Sequence, residues 1–198
     1  ENLKVTHYRD GTPIPNITNN GDWGSLSTGA YAVYPWDDDD ASQNTCNGDC
    51  VGVYGNLYNW YAVDDNRDVC PVGWHVPTDE EWMELEMTLG MSYEEAHDTG
   101  WRGTNEGSKM AGNADLWAAG ALENNSEFGT SGFTALPGGY RSYGNGYYYN
   151  MGSYGYFWSS AGYNSNDAWY RYLGYGVSDV GRDSFYKQLG FSIRCAGD

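Results

Sequence analysis

The chain has 198 residues, enough for one sizeable domain around a single core, and no Pro- or Ser-rich linker divides it. Its 27 acidic and 10 basic residues leave a net charge of −17, a field that repels phosphates and anionic headgroups and so excludes nucleic acid and membrane surfaces as partners. The 28 glycines and a 17% aromatic share describe a loop-rich globule with aromatic anchors, too aromatic for a disordered chain.

No apolar run reaches the ~18 residues of a membrane-spanning helix, so direct membrane insertion is not expected. The start at Glu1, without a charged-then-apolar segment, reads as a mature or excised piece of a larger surface protein, with residues 1–198 forming one ligand-binding domain. The first sixty or so residues alternate short apolar runs with turn formers: Thr12-Pro13-Ile14-Pro15, then Asn19-Asn20-Gly21-Asp22, then Ala30-Tyr31-Ala32-Val33-Tyr34, which reads as a strand. Asp37, Asp38, Asp39 and Asp40 follow. Four adjacent carboxylates cannot all be buried, so this segment is a loop, either solvated or wrapped on a cation.

The four cysteines, Cys46, Cys50, Cys70 and Cys195, lack the paired spacing of a zinc knuckle and read as disulfides. Three connectivities are open; the one favoured joins Cys46 to Cys50 as a local clip and Cys70 to Cys195, tying mid-chain to the last strand. That pairing implies an oxidising compartment.

Helix signals concentrate after Pro77. Thr78-Asp79-Glu80-Glu81 is a capping box, and Trp82, Leu85 and Leu89 recur at helical spacing as core residues until Gly90 closes the helix. Ser92-Tyr93-Glu94-Glu95 starts a second, shorter helix, and a short turn is expected near Ser108 to Gly112. From about Phe133 short strands alternate with glycine turns, and 11 of the 19 tyrosines lie between Tyr140 and Tyr175. Leu189 to Cys195 alternates Leu, Phe, Ile and Cys with smaller or polar residues, as a half-buried terminal strand does. The class is α+β, with the helices before the sheet.

Several motifs recur in a fixed order: Tyr54-Gly55-Asn56-Leu57-Tyr58-Asn59-Trp60-Tyr61-Ala62-Val63, then Cys70-Pro71-Val72-Gly73-Trp74-His75-Val76-Pro77-Thr78 with Glu81-Trp82. Gly132-Phe133-Thr134-Ala135-Leu136-Pro137-Gly138-Gly139-Tyr140-Arg141, Trp158-Ser159-Ser160, Ala168-Trp169-Tyr170-Arg171-Tyr172 and Gly190-Phe191-Ser192-Ile193-Arg194-Cys195 follow. Over nearly the whole chain this resembles the Fibrobacter succinogenes major paralogous domain. The resemblance implies a secreted or surface-anchored bacterial protein and a C-type-lectin-like fold of the kind shared with formylglycine-generating enzymes, with two or so short helices, small antiparallel sheets and long loops. It implies no reaction. A looser similarity links such modules to the ligand-binding domains of long calcium-dependent bacterial adhesins. The Asp37–Asp40 run and the Tyr143–Tyr156 insert depart from the family pattern and are expected in loops.

His7, His75 and His97 carry no catalytic motif partner, and an enzyme is not expected. His75, between Trp74 and Val76 in a stretch that reads as buried, is expected to be a hydrogen-bonded structural residue. The two cysteines that would suit oxidative chemistry, Cys70 and Cys195, read as structural. For binding, glycines let the backbone turn tightly across Arg141–Asn150 while tyrosines offer flat faces with polar tips. The candidate ligand-binding set is Arg141, Tyr143, Tyr147, Tyr148, Tyr149, Tyr163, Trp169 and Arg182, with Arg141 and Arg182 meeting a ligand carboxylate and Arg171 and Arg194 paired structurally. Calcium needs clustered oxygens. Asp37, Asp38, Asp39 and Asp40 form one candidate cluster, and Asn164, Asn166 and Asp167 a second that Asp179 and Asp183 would complete.

Together these readings describe a monomeric, calcium-stabilised extracellular adhesin module that binds a peptide or glycan on another cell surface through a loop face over residues 141 to 183. A carbohydrate-binding module of a glycan-degrading system and a display domain without a small ligand are the alternatives.

Overall fold

The computed structural model describes residues 1–35, 46 and 48–198. Turn formers keep the first elements short. Asn19 caps α1 (Asn20–Trp23) by accepting hydrogen bonds from the amides of Gly21 and Asp22. Strand β1 (Tyr31–Ala32) is shorter than the stretch expected over Ala30–Tyr34, because its one partner in a ladder, β2 (Leu57–Tyr58), is hemmed between α2 (Cys50–Tyr54) and α3 (Trp60–Val63). Asp49 and Asn59 cap those two helices.

After β3 (Trp74–His75) comes α4 (Asp79–Thr88), where both halves of the Thr78–Glu81 capping box are formed. The Ser92–Glu95 box opens α5 (Tyr93–His97) in the same way. Strand β4 (Gly100–Arg102), α6 (Glu106–Met110), a 3-10 turn at Ala114–Leu116 and α7 (Ala121–Asn124) lead into β5 (Gly138–Arg141), β6 (Tyr148–Met151), β7 (Tyr154–Gly162), β8 (Asp167–Gly174), β9 (Val180–Tyr186) and β10 (Ala196–Gly197). The molecule is thus a mixture of short helices and small open sheets. Tyr148 and Tyr149 lie in β6, and Tyr154 and Tyr156 in β7, so half of the tyrosine-rich insert is strand rather than loop.

Among the described residues the main sheet has six strands in the order β4-β9-β8-β7-β5-β6, antiparallel except where β5 runs parallel to β7. Its lower face presents Phe157, Leu173 and Val180 to Trp82, Met83 and Met110. At one end of its upper face Trp158 and Ala168 pack with Tyr58, Trp60 and Ile193. Leu189–Cys195 is not the half-buried strand its alternation suggests. The segment threads between β5 and β7, bridging Arg141 to Gly190 and Phe157 to Ser192, and both sides are covered, so Ser192 and Arg194 are buried along with Phe191 and Ile193.

A buried ion network fastens α4 beneath the sheet. Asp79 and Glu86 stand seven residues apart, two helical turns, and so share a face. Arg171 and Arg182, directly opposite in β8 and β9, reach Asp79 at 2.5 and 2.6 Å, while Glu86 takes Arg171 at 2.7 Å and Arg102 at 2.9 Å. Burial pushes the Asp79 carboxyl up, but the hydrogen bonds and charges of Arg182 and Arg171 outweigh it and hold the group below the usual carboxylate range. The structural pairing expected of Arg171 is realised.

Both favoured disulfides are formed, Cys46–Cys50 and Cys70–Cys195. The second closes a separation of 125 residues, a loop whose closure entropy in the unfolded chain corresponds to about 5 kcal/mol.

Candidate functional site

The structure divides the expected ligand-binding residues between the two sides of the sheet. Arg141 is fully buried. Its guanidinium donates to the carbonyls of Ile17, Gly146 and Asn19 and to the Asn20 side chain, and lies 4.4 Å from the centre of the Trp23 ring. Arg182 is 7% exposed, held by Asp79 and by the carbonyls of His97 and Asp98 below the sheet, with the Trp169 ring 3.9 Å away. Neither arginine is placed to meet a ligand carboxylate, because each closes a gap between distant backbone segments instead. Trp169 in turn touches Tyr163 at 4.9 Å, on the Arg182 side. Tyr148 packs on Tyr34 at 5.1 Å, and Tyr147 is exposed in the turn before β6.

Tyr149 lies in a row of rings across the upper face of the sheet, and Tyr143 lines a cleft beside it. The strand registers align one residue from each strand of the main sheet on its upper face. Tyr149 of β6 faces Tyr140 of β5. The parallel pairing of Gly139 with Gly155 sets Tyr140 beside Tyr156 of β7. Tyr156 then faces Tyr172 of β8, Tyr172 faces Gly181 of β9, and Gly181 faces Trp101 of β4. Successive ring centres are 5.4, 5.3 and 6.2 Å apart from Tyr149 to Tyr172, and Tyr172 meets Trp101 at 4.4 Å. Tyr154 and Tyr170 flank this row, stacked on Tyr156 at 5.8 Å and tilted against Tyr172 at 5.5 Å.

Beside the row a cleft of about 260 Å³ opens between Tyr140, Tyr156 and Tyr170 on one side and Tyr143 and Phe185 on the other, with Phe191 against Tyr156 at 5.0 Å. The row tyrosines are half-buried and Trp101 is 40% exposed. Burial raises the phenols of Tyr156, Tyr170 and Tyr172, and the Asp183 carboxylate adds to the rise at Tyr170 and Tyr172. These hydroxyls therefore remain protonated hydrogen-bonding groups near neutral pH. The surface offers ring faces, phenolic hydroxyls and one exposed carboxylate, Asp183.

Of the row, Tyr149 alone belongs to the set expected from the sequence. The row's trace there is the period-two alternation Tyr154-x-Tyr156-x-Trp158 and Tyr170-x-Tyr172, which marks rings on one side of each strand but not which side faces solvent.

Among the described residues the expected calcium ligands do not gather. Asp37–Asp40 lies outside the described residues. Asn164 accepts from the amides of Asn166 and Asp167 and donates to the Asp167 carboxylate, closing its own turn. Asp167 pairs with Tyr186, which places Asp183 roughly 10 Å and Asp179 roughly 23 Å along the strand from it, so neither completes the Asn164–Asp167 cluster. Among the described residues no three His, Cys, Asp or Glu side chains converge as a metal site would require. His75 is bonded on both ring nitrogens, to Asp198 and to Glu81 at 2.8 Å each, although its neighbour Trp74 is 48% exposed rather than buried.

A family model described as the Fibrobacter succinogenes major domain matches residues 1–196. No curated protein and no solved structure matches the chain.

Proposed function

Because the chain belongs to the Fibrobacter succinogenes major domain family, a kinship that carries no reaction with it, we propose that it is an extracellular module that binds a glycan on the aromatic upper face of its main sheet. The observation that carries this reading is the unbroken row of rings from Tyr149 to Trp101. Sugar rings present C–H faces that stack on aromatic planes and hydroxyls that bond to phenols. Rings already held by their neighbours lose few rotamers on binding, which lowers the cost of association.

Glycan is favoured over peptide because the two arginines that would have met a peptide carboxylate, Arg141 and Arg182, are engaged inside the protein. The net charge of −17 also disfavours anionic ligands. Two disulfides support an extracellular setting. Among the described residues no helix is long and apolar enough to cross a membrane. An adhesin role and the C-type-lectin-like arrangement form part of the same proposal; the helices that precede β5 to β9 and the pairing of β10 with β3 support the latter. Calcium ordering of the acidic loops is carried as a further part of the reading.

The test is capture by the purified domain on glycan and peptide arrays, run in parallel with calcium and with a chelator. Capture by glycans is expected, and loss of capture in chelator would assign calcium its ordering role. Capture by peptides alone, or by nothing, overturns the reading, the second outcome favouring a display domain.

A further inference from the structure

Resting on the glycan reading, we propose that the ligand is a linear chain of neutral sugars that lies across the strands along the row, roughly one sugar to each strand. Neighbouring strands are ~4.8 Å apart, close to the length of one pyranose in an extended chain, and the strand registers place one ring in each spacing from Tyr149 to Tyr172. A ligand running along a strand would meet a different surface. Side chains on one face then recur only every second residue, ~6.6 Å apart, and the run along a strand is two rings long: Tyr154 and Tyr156 in β7 before the buried Trp158, Tyr170 and Tyr172 in β8 before Gly174.

The row continues past the strand that supplies no ring. A Cβ on Gly181 would fall 2.2 Å from the Tyr172 ring, and one on Gly174 would fall 2.7 Å from Tyr154 and 3.1 Å from Trp101. These two glycines let the three rings come close to the backbone, so Tyr172 and Trp101 touch although β9 runs between them. Tyr154, Tyr156 and Tyr172 are near-parallel, at 18° and 21°, so their faces turn the same way for a flat sugar to stack on, while Trp101 stands at 64° to Tyr172 and walls that end of the row. The two ends of the row, Tyr149 and Trp101, are on the outermost strands of the sheet, so a chain longer than the row extends past both edges. Asp183, exposed opposite Tyr170 beside the row, accepts sugar hydroxyls and repels uronic acids.

The experiment is calorimetric titration of the folded chain with ladders of linear gluco-, xylo- and manno-oligosaccharides, of an oligogalacturonate and of a branched glycan. Trp101→Ala and Tyr149→Ala are titrated alongside, and thermal unfolding verifies that each variant is folded. Affinity for a neutral ladder should rise with each added sugar to about five, matching the strand spacings spanned, and then level off. Trp101→Ala should weaken the longest oligomer about 2- to 10-fold, the range of one aromatic contact, and bring the plateau to a shorter chain. Tyr149→Ala should do the same from the other end. Should a glycan bind with no dependence on chain length, should the branched or the acidic glycan bind best, or should both end variants leave the plateau in place, the linear-track inference fails and the glycan reading stands. If no glycan binds, both fail.

Discussion

The ring of Tyr172 lies across the backbone of Gly181, so close that a Cβ built there would sit 2.2 Å from its carbons. Among the described residues Gly181 is not one of the positive-φ positions, so alanine meets no backbone strain there and its effect reports on the ring. Gly181→Ala should lift Tyr172 away from Trp101. The expected cost is about 1–3 kcal/mol of stability, as for other overpacked sites, with a several-fold weaker affinity for long oligosaccharides. Thermal unfolding and titration read the two effects separately, and unchanged affinity in the folded variant would remove Tyr172 from the binding surface.

Asp79→Asn should lower stability by about 3–5 kcal/mol, because Arg171 and Arg182 would remain buried with their shared carboxylate gone. The folded Asp79 carboxyl lies below its ordinary value of 3.8. Its contribution is therefore present above that value and is lost as pH falls through the lower folded one. Urea midpoints of wild type and variant should differ most near neutrality and draw together in acid. A gap that persists unchanged into strong acid would show that charge is not its source.

His75 is raised above 6.5, first by its hydrogen bond to Asp198 and then by that to Glu81. The protonated ring donates to both carboxylates, and the neutral ring to one at most. This support for the β3–β10 pairing is complete below 6.5 and is lost as pH climbs through the raised value. Amide hydrogen exchange at Ala196 and Gly197, corrected for intrinsic rates, should quicken across that window in wild type. The same amides in His75→Phe should show no such step.

Replacing both Cys70 and Cys195 by alanine should cost about 2–5 kcal/mol, with the upper end set by the long loop that the bond closes. Equal unfolding midpoints for the oxidised and reduced wild-type protein would contradict this.

Arg141→Lys should destabilise by about 1.5–3 kcal/mol through lost hydrogen bonds of a charged donor, since an ammonium cannot reach the spread of carbonyls that the planar guanidinium spans. Oligosaccharide affinity should not change. A fall in affinity without a fall in stability would restore this arginine to the ligand site.

The sequence by itself determined whatever depends on near neighbours or on motif order. Thr78 with Glu81 and Ser92 with Glu95 set two helix starts through contacts three residues apart. The ordered motifs identified the family, and the even cysteine set was consistent with the pairing that formed. The alternating tyrosines of β7 and β8 announced rings on one side of each strand. Only the tertiary structure decided where those rings point and what surrounds the arginines. Arg141 is claimed by Ile17 and Asn19, and Arg182 by Asp79, partners more than a hundred residues away. The row from Tyr149 to Trp101 exists because five strand registers align and because the Leu189–Cys195 segment threads between β5 and β7, covering one end of the upper face and leaving the other open. Register is a long-range property, and shifting one strand by a single residue would turn its ring to the other face, so no local reading of the chain contains the platform.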